Sequence, residues 1–113
     1  HFIGSSGLHT IHWEIPKFEI GYWIRTRESG HGYMTEAVLG LTKFCFETLE
    51  AERVQIRCDA LNQRSAGVAR RAGYVYEGCT RRDTRTPYGE LRDTLTFSLI
   101  REEYFTLKLA SKP

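Results

Sequence analysis

The spacing of the apolar residues changes along the chain, and each change predicts a new element of secondary structure. Apolar residues alternate with others over residues 18–25 and 53–59, which predicts two half-buried strands. Between them, residues 33–50 carry apolar residues at helical spacing, which predicts an amphipathic helix. The predicted apolar stripe of that helix consists of Met34, Ala37, Val38, Leu41, Phe44, Cys45 and Leu49.

Glycines, prolines and cap residues predict where the other elements begin and end. Residues 2–13 are β-prone but broken by glycines, which predicts a glycine-interrupted strand or hairpin arm. Asn62 suits a helix N-cap, and Gly73 suits the position just after a helix end. The remaining predicted elements are a turn at 15–17, a helix at 63–72, a strand at 74–83, a turn at 86–89, a strand at 90–100, and a short helix with a tail at 101–113.

The order of these elements predicts an α+β fold of the layered α/β type. Two strand–helix–strand steps predict local parallel pairing, and the final hairpin is antiparallel. We therefore expect three layers, with helices flanking a mixed, mainly antiparallel sheet. The 113 residues show no internal repeat and fit one domain, residues 1–113.

Composition limits the expected partners and cellular compartment of the protein but does not indicate a reaction. A net charge of +2 does not require a nucleic-acid or membrane partner, and no window is apolar enough to span a bilayer. The three cysteines, Cys45, Cys58 and Cys79, are widely spaced, which favours a reduced, cytoplasmic protein. The chain shows no signal peptide and opens at His1 inside an expected strand. We therefore expect that an N-terminal part is missing.

The segment Gly30-His31-Gly32 connects the second predicted strand to the first helix. A helix N-terminus offers unpaired N–H groups and partial positive charge, and glycines admit a ligand close to the backbone, so the segment suits a phosphate. It does not match the Walker A or the dinucleotide-binding pattern. From the residues alone, an ordinary glycine loop explains the segment equally well.

Two motifs resemble those of the GNAT N-acetyltransferases, and most closely the branch of the ribosomal-protein serine and alanine N-acetyltransferases. The first is Ile20-Gly21-Tyr22-Trp23-Ile24 followed by Ser29-Gly30-His31-Gly32-Tyr33-Met34-Thr35-Glu36-Ala37. The second is Asn62-Gln63-Arg64-Ser65 followed by Ala72-Gly73-Tyr74. The resemblance covers residues 18–100 and implies the GNAT acyl-CoA acyltransferase fold. In that family a strand, two helices and a further strand precede this part, so the resemblance also implies an N-terminally truncated domain.

The resemblance implies acetyl-CoA as co-substrate and no metal. The family's loop pattern has Gln or Arg where Ser29 stands and Gly or Ala where Met34 stands. Backbone amides of the loop would hold the pyrophosphate, and strand residues would flank the pantetheine arm. The implied cofactor-binding residues are Tyr22, Trp23, Ile24, Ser29, Gly30, His31, Gly32, Tyr33, Met34, Thr35 and Asn62.

By the same resemblance, Ser65 matches the serine proposed to protonate the leaving thiolate. A serine in a first helical turn also commonly caps backbone groups, so both roles stay open. The general base is not assigned. Its candidates by residue type are Glu14, Glu19, Glu36, Asp59, Glu90 and Asp93.

The implied reaction is acetyl transfer from acetyl-CoA to a primary amine, with a protein N-terminus as the expected acceptor. The alternatives are a small amine, such as a polyamine or an antibiotic, and a CoA-binding fragment without turnover. Four arginines lie on the predicted hairpin: Arg81, Arg82, Arg85 and Arg92. They would suit an acidic peptide, ribosomal RNA or the 3′-phosphate of CoA, but a solvated strand face is favoured. We expect no membrane partner, and a homodimer is a weaker expectation that exposed strand edges suggest.

Overall fold

The computed structural model describes the backbone of residues 4–12, 15–24 and 33–110, and the side chains of residues 15–21 and 33–110. Most predicted elements are present within these ranges. The glycines of the first segment lie inside a single continuous strand. In chain order the elements are β1 (Gly4–His12), β2 (Lys17–Ile24), α1 (Tyr33–Glu47), β3 (Arg53–Asp59), α2 (Gln63–Arg71), β4 (Val75–Arg85), β5 (Leu91–Ile100) and α3 (Arg101–Ala110).

The five described strands form one mixed sheet in the order β1-β2-β3-β5-β4. Only β2 and β3 pair in parallel, so the prediction of a mixed, mainly antiparallel sheet is confirmed. The prediction of parallel pairing across the second strand–helix–strand step is wrong. β5 lies between β3 and β4 and pairs antiparallel with both, so those two strands are not neighbours.

The core lies between one face of the sheet and the helices α1 and α2. The register places Phe18 beside Val54, and Val54 opposite Leu99. All three side chains are buried. The helices cover them with apolar side chains, most of them small or medium in size, which allow close packing of helix on sheet. Buried helical residues include Val38, Cys45, Phe46, Ala66, Val68 and Ala69.

The apolar stripe of α1 differs from the predicted one at two positions. Phe44 was expected in the core but is 44% exposed, whereas Phe46 is fully buried. The buried stripe runs through positions 38, 42, 45 and 46, so the helix faces the sheet with a slightly different side. Thr42 is tolerated there because its hydroxyl donates to the Val38 carbonyl at 2.7 Å and shares a 2.6 Å hydrogen bond with Tyr74.

The helix α1 also ends earlier than predicted. It was expected to reach residue 50 but ends at Glu47. Glu50 has a φ of 55°, a left-handed conformation that a right-handed helix cannot include. The chain then enters β3 through the buried residue Ala51.

The C-terminal helix α3 packs against the far end of α1. Tyr104 stacks on Phe46 with ring centroids 4.8 Å apart, and its hydroxyl donates to the Glu47 carboxylate. This hydrogen bond is the main cause that lowers the pKa of Glu47. Arg101 donates to the carbonyls of Phe46 and Ala51, which ties α3 to the α1–β3 connection. None of the helices in the described part of the chain is long and apolar enough to cross a bilayer.

Candidate functional site

The pairing between β2 and β3 stops after three residues of each strand. Residues 17–19 pair with residues 53–55, although β2 continues to Ile24 and β3 to Asp59. Beyond that point β2 pairs with β1 and β3 pairs with β5. Every second backbone group of an extended strand points to each side, so part of β2 presents N–H and C=O groups toward the gap. An extended ligand can pair with such groups like an added strand.

Two helices begin at the same end of the sheet as this gap. Because β2 and β3 run parallel, their C-terminal ends lie at one edge, and α1 and α2 follow them along the chain. The unpaired N–H groups and positive dipole ends of α1 and α2 lie at that edge. In open α/β sheets, ligands bind outside the carboxyl ends of the strands.

Asn62 and Ser65 form the N-terminal cap of α2. The Asn62 Oδ1 atom accepts from the Ser65 backbone N–H at 3.0 Å, which confirms the predicted cap. Asn62 is exposed, but Ser65 is buried at 1% exposure. The Ser65 side chain is therefore shielded from solvent in the first turn of α2. To act as a proton donor, it requires a ligand that approaches this turn closely.

The described part of the predicted cofactor set lies on β2 and on the first turn of α1. Tyr22, Trp23 and Ile24 belong to the segment of β2 beyond its pairing with β3. Tyr33 begins α1 and is 61% exposed. The next two residues, Met34 and Thr35, are half-buried. The loop residues Ser29, Gly30, His31 and Gly32 lie outside the described residues.

Two of the candidate general bases are engaged in contacts that a structural role explains. Glu19 accepts from Gln55 Nε2 at 2.7 Å and from Arg57 Nε at 2.8 Å. The hydrogen bond to Glu19 is the main cause that raises the pKa of Arg57. Asp59 pairs with Arg92 at 3.0 Å, which brings one arginine of the predicted cluster into the β3–α2 connection.

The other candidate bases also show no feature that singles one out. Asp93 accepts from the Arg82 backbone N–H at 2.8 Å, which holds the irregular part of the β4–β5 hairpin. Glu36 and Glu90 are exposed, and the Glu14 side chain lies outside the described residues. Arg81, Arg82 and Arg85 are exposed on the hairpin, as the solvated-face interpretation expects.

One charged residue near the site was not predicted from the sequence. Arg71, in the last turn of α2, donates from Nε to the Thr35 hydroxyl at 3.4 Å. The two residues are 36 positions apart, so no local pattern indicates the contact. The available signal is Gly67, which stands four residues before Arg71 and leaves that face of the helix open.

The described residues hold no group of three or more His, Cys, Asp or Glu side chains that could bind a metal ion. The polar groups described at the open edge include the capped N-terminus of α2 and the contact of the Arg71 guanidinium with the Thr35 hydroxyl, together with the Asp59–Arg92 ion pair. This set of donors suits an anionic organic ligand.

Comparison with known proteins agrees with this geometry. Residues 1–75 match the sequence profile of the acetyltransferase (GNAT) domain. YdaF of Bacillus subtilis, provisionally named a ribosomal N-acetyltransferase, is 36% identical over 101 residues, which cover 89% of this chain and 55% of YdaF. The ribosomal-protein-serine acetyltransferase of Escherichia coli is 36% identical over 61 residues, 54% of this chain and 34% of the relative.

Among solved structures, RimJ of Mycobacterium smegmatis, in complex with CoA-disulfide, superposes with a TM-score of 0.80. It is 26% identical, and the match covers 91% of this chain and 49% of RimJ. The chain thus spans about half the length of the first relatives it matches. The matched profile covers most of the chain, so the chain belongs to the GNAT acetyltransferase family.

Proposed function

We propose that this chain carries the acetyl-CoA site of an N-acetyltransferase whose acceptor is a primary amine, the α-amino group of a protein N-terminus. The observation that carries the proposal is the short ladder between β2 and β3, with α1 and α2 beginning beside it. The pantetheine arm lies along residues 20–24 of β2, and the pyrophosphate lies at the loop 29–32 and the first turn of α1. The protein acceptor is supported by the relative from Escherichia coli, which is named for a ribosomal-protein serine.

The chemistry needs alignment more than reactive side chains. The neutral amine attacks the thioester carbonyl carbon, so that a C–N bond forms and the C–S bond breaks. The amine loses a proton, and CoA leaves as a thiolate that takes up a proton. Holding both reactants in line supplies much of the rate. A backbone N–H of Trp23 or Ile24 on the open side of β2 is the proposed donor to the carbonyl oxygen.

Ser65 and Asn62 have proposed roles at the other side of the gap. The Ser65 hydroxyl passes a proton to the leaving thiolate and regains one from solvent, while the proton that the amine loses goes to solvent. The Asn62 Oδ1 atom holds the cap of α2, and its NH₂ group, which the cap does not use, contacts the cofactor. The hydrogen bond between Asn62 Oδ1 and the Ser65 N–H fixes how the two residues stand relative to each other.

The proposal is tested by turnover with matched acceptors. The purified chain is incubated with acetyl-CoA and a peptide that begins with serine, and the acetylated peptide is detected by mass spectrometry. The same peptide with a blocked N-terminus is the control, and a polyamine tests the small-amine alternative. We expect product from the free peptide alone. CoA binding without product from any amine would contradict the enzyme and leave the CoA-binding alternative.

Substitution of Ser65 separates catalysis from capping. We expect Ser65→Ala to lower kcat by about a hundredfold, the usual size of a lost proton donor, with little change in the KM for acetyl-CoA. The backbone N–H of residue 65 still reaches Asn62, so the cap is kept. Ser98→Ala is the matched control because Ser98 is also a buried serine but lies on β5. Equal kcat in the two variants would reject the role of Ser65.

A further inference from the structure

Arg71 reaches from the end of α2 back toward its beginning and ends against α1. Side chains of a helix lean toward its N-terminus, so Arg71 runs over the residue four positions earlier. That residue is Gly67, and a Cβ atom built there would lie 3.3 Å from Arg71 Nη1. The guanidinium also reaches Thr35 in the first turn of α1, at 3.4 Å from Nε to the hydroxyl.

The charge of Arg71 has no carboxylate partner among the described residues. The cations that form ion pairs among these residues are Arg53, Arg57, Arg92 and Lys108. The neighbouring Arg70 lies elsewhere, with its guanidinium 5.5 Å from the centre of the Phe97 ring. Arg71 instead makes its contact with a neutral hydroxyl, through one of five N–H donors.

We propose that Arg71 is a further co-substrate-binding residue, which contacts the pyrophosphate of acetyl-CoA from the α2 side. This inference rests on the proposed function, which places the pyrophosphate at the first turn of α1 beside Thr35. Arginine presents a planar fork of donors that matches two phosphate oxygens at once. Gly67 keeps the path of the side chain clear, and Thr35 holds the fork at the helix end.

The test compares two ligands that differ in the 3′-phospho-ADP part, which contains the pyrophosphate. Acetyl-CoA contains that part, whereas S-acetylpantetheine contains the same thioester arm without it. A third ligand, 3′-dephospho-acetyl-CoA, keeps the pyrophosphate and should respond to the substitution as acetyl-CoA does. We expect Arg71→Gln to weaken acetyl-CoA binding about tenfold in calorimetric titration, as for a lost charge-assisted hydrogen bond at an open site. Binding of S-acetylpantetheine stays unchanged. Arg71→Lys, which keeps the charge but not the fork, gives an intermediate loss.

Arg70→Gln is the matched control, because it removes the same charge from the adjacent position of α2. We expect it to bind acetyl-CoA within about twofold of the parent chain. If Arg70→Gln and Arg71→Gln weakened acetyl-CoA binding equally, the positive charge of α2 as a whole would explain the effect. That result would overturn the proposal. Equal weakening of both ligands would overturn it as well. If the unsubstituted chain bound no acetyl-CoA, the proposed function itself would fail.

Gly67→Ala tests the same geometry without removing a charge. The new methyl group stands 3.3 Å from Nη1, so the guanidinium must move by a few tenths of an ångström. Alanine is the better helix former, so the melting temperature is expected to stay level or rise. We expect weaker acetyl-CoA binding with unchanged S-acetylpantetheine binding. If Gly67→Ala bound acetyl-CoA equally or more tightly, the position of the Arg71 guanidinium over Gly67 would not matter for binding. That result would contradict the proposal.

Discussion

Gly73 follows α2 and belongs to the second motif, residues 62–65 and 72–74. Its substitution tests quantitatively how much its backbone conformation contributes to the stability of the fold. Its φ is +90°, a region that residues with a side chain rarely adopt. The Gly73 N–H donates to the Arg70 carbonyl at 3.0 Å and the Tyr74 N–H to the Ala69 carbonyl at 3.1 Å, so the conformation closes the helix. Forcing alanine into the left-handed region costs about 1–2 kcal/mol.

A second contribution at Gly73 comes from α3. An added Cβ atom would lie 2.9 Å from the Leu107 Cδ1 atom. Leu107 is 44% exposed, so its side chain can move away at little cost. The backbone therefore dominates, and we expect Gly73→Ala to lower the free energy of unfolding by about 1–2 kcal/mol. The double variant with Leu107→Ala should recover only a small part of this loss.

Gly40→Ala is the matched control, because the same methyl group is added within α1. A Cβ atom at Gly40 meets no atom within 4 Å, and its φ is not positive. We expect this variant to gain about 0.5–1 kcal/mol, since alanine restricts the unfolded chain. The assay is urea unfolding followed by circular dichroism, where a shift of 1 kcal/mol moves the midpoint by about 0.3–1 M. Shifts of the same sign in both variants would refute the reasoning.

Two further predictions concern the buried groups of α1. Tyr74→Phe removes the 2.6 Å hydrogen bond to Thr42 and should lower the free energy of unfolding, measured in urea, by about 1 kcal/mol. A double-mutant cycle with Thr42→Val should show coupling between the two side chains, and its absence would contradict the hydrogen bond. Burial raises the pKa of the Cys45 thiol to about 11 from an ordinary value of 9.0, so the free energy of unfolding should fall as the pH rises from 9 to 11, because the unfolded chain ionises first. Cys45→Ala should reduce this pH dependence in the same assay, and an undiminished slope would assign it to other groups.

The sequence was most informative where a local rule decides the structure. Strict alternation predicted β3 with its buried residues Val54 and Ile56. The Asn62 cap and the Gly73 conformation followed from the hydrogen-bond needs of helix ends. Each of these features depends on residues within a few positions of one another.

The features that the sequence did not predict depend on distant parts of the chain. The insertion of β5 between β3 and β4 follows from pairing over long separations, which neither strand's own pattern encodes. The choice of Phe46 over Phe44 for the core depends on how α1 is rotated against the sheet and α3, where Tyr104 stacks on Phe46. The same holds for the contact of Arg71 with Thr35.

The candidate site was predicted in part by local chemistry and in part by resemblance. The pattern of a strand, a glycine loop and a helix indicated an anion site. The second motif at residues 62–65 added the family resemblance, which implied acetyl-CoA as the ligand. The loop residues 29–32 lie outside the described residues, so their role stays a prediction. The gap between β2 and β3 was not predicted, because where a parallel ladder ends depends on both strands and on their outer neighbours.

Hydrogen–deuterium exchange with acetyl-CoA tests the central claim most directly, because it measures backbone amides in the gap itself. The chain is labelled with and without saturating acetyl-CoA, and protection is mapped by peptide. We expect protection in residues 20–24 of β2 and in the first turn of α1, where the arm and the pyrophosphate lie. We expect no change in α3, which serves as the internal control. Binding that protects α3 but leaves β2 and α1 unchanged would contradict the site.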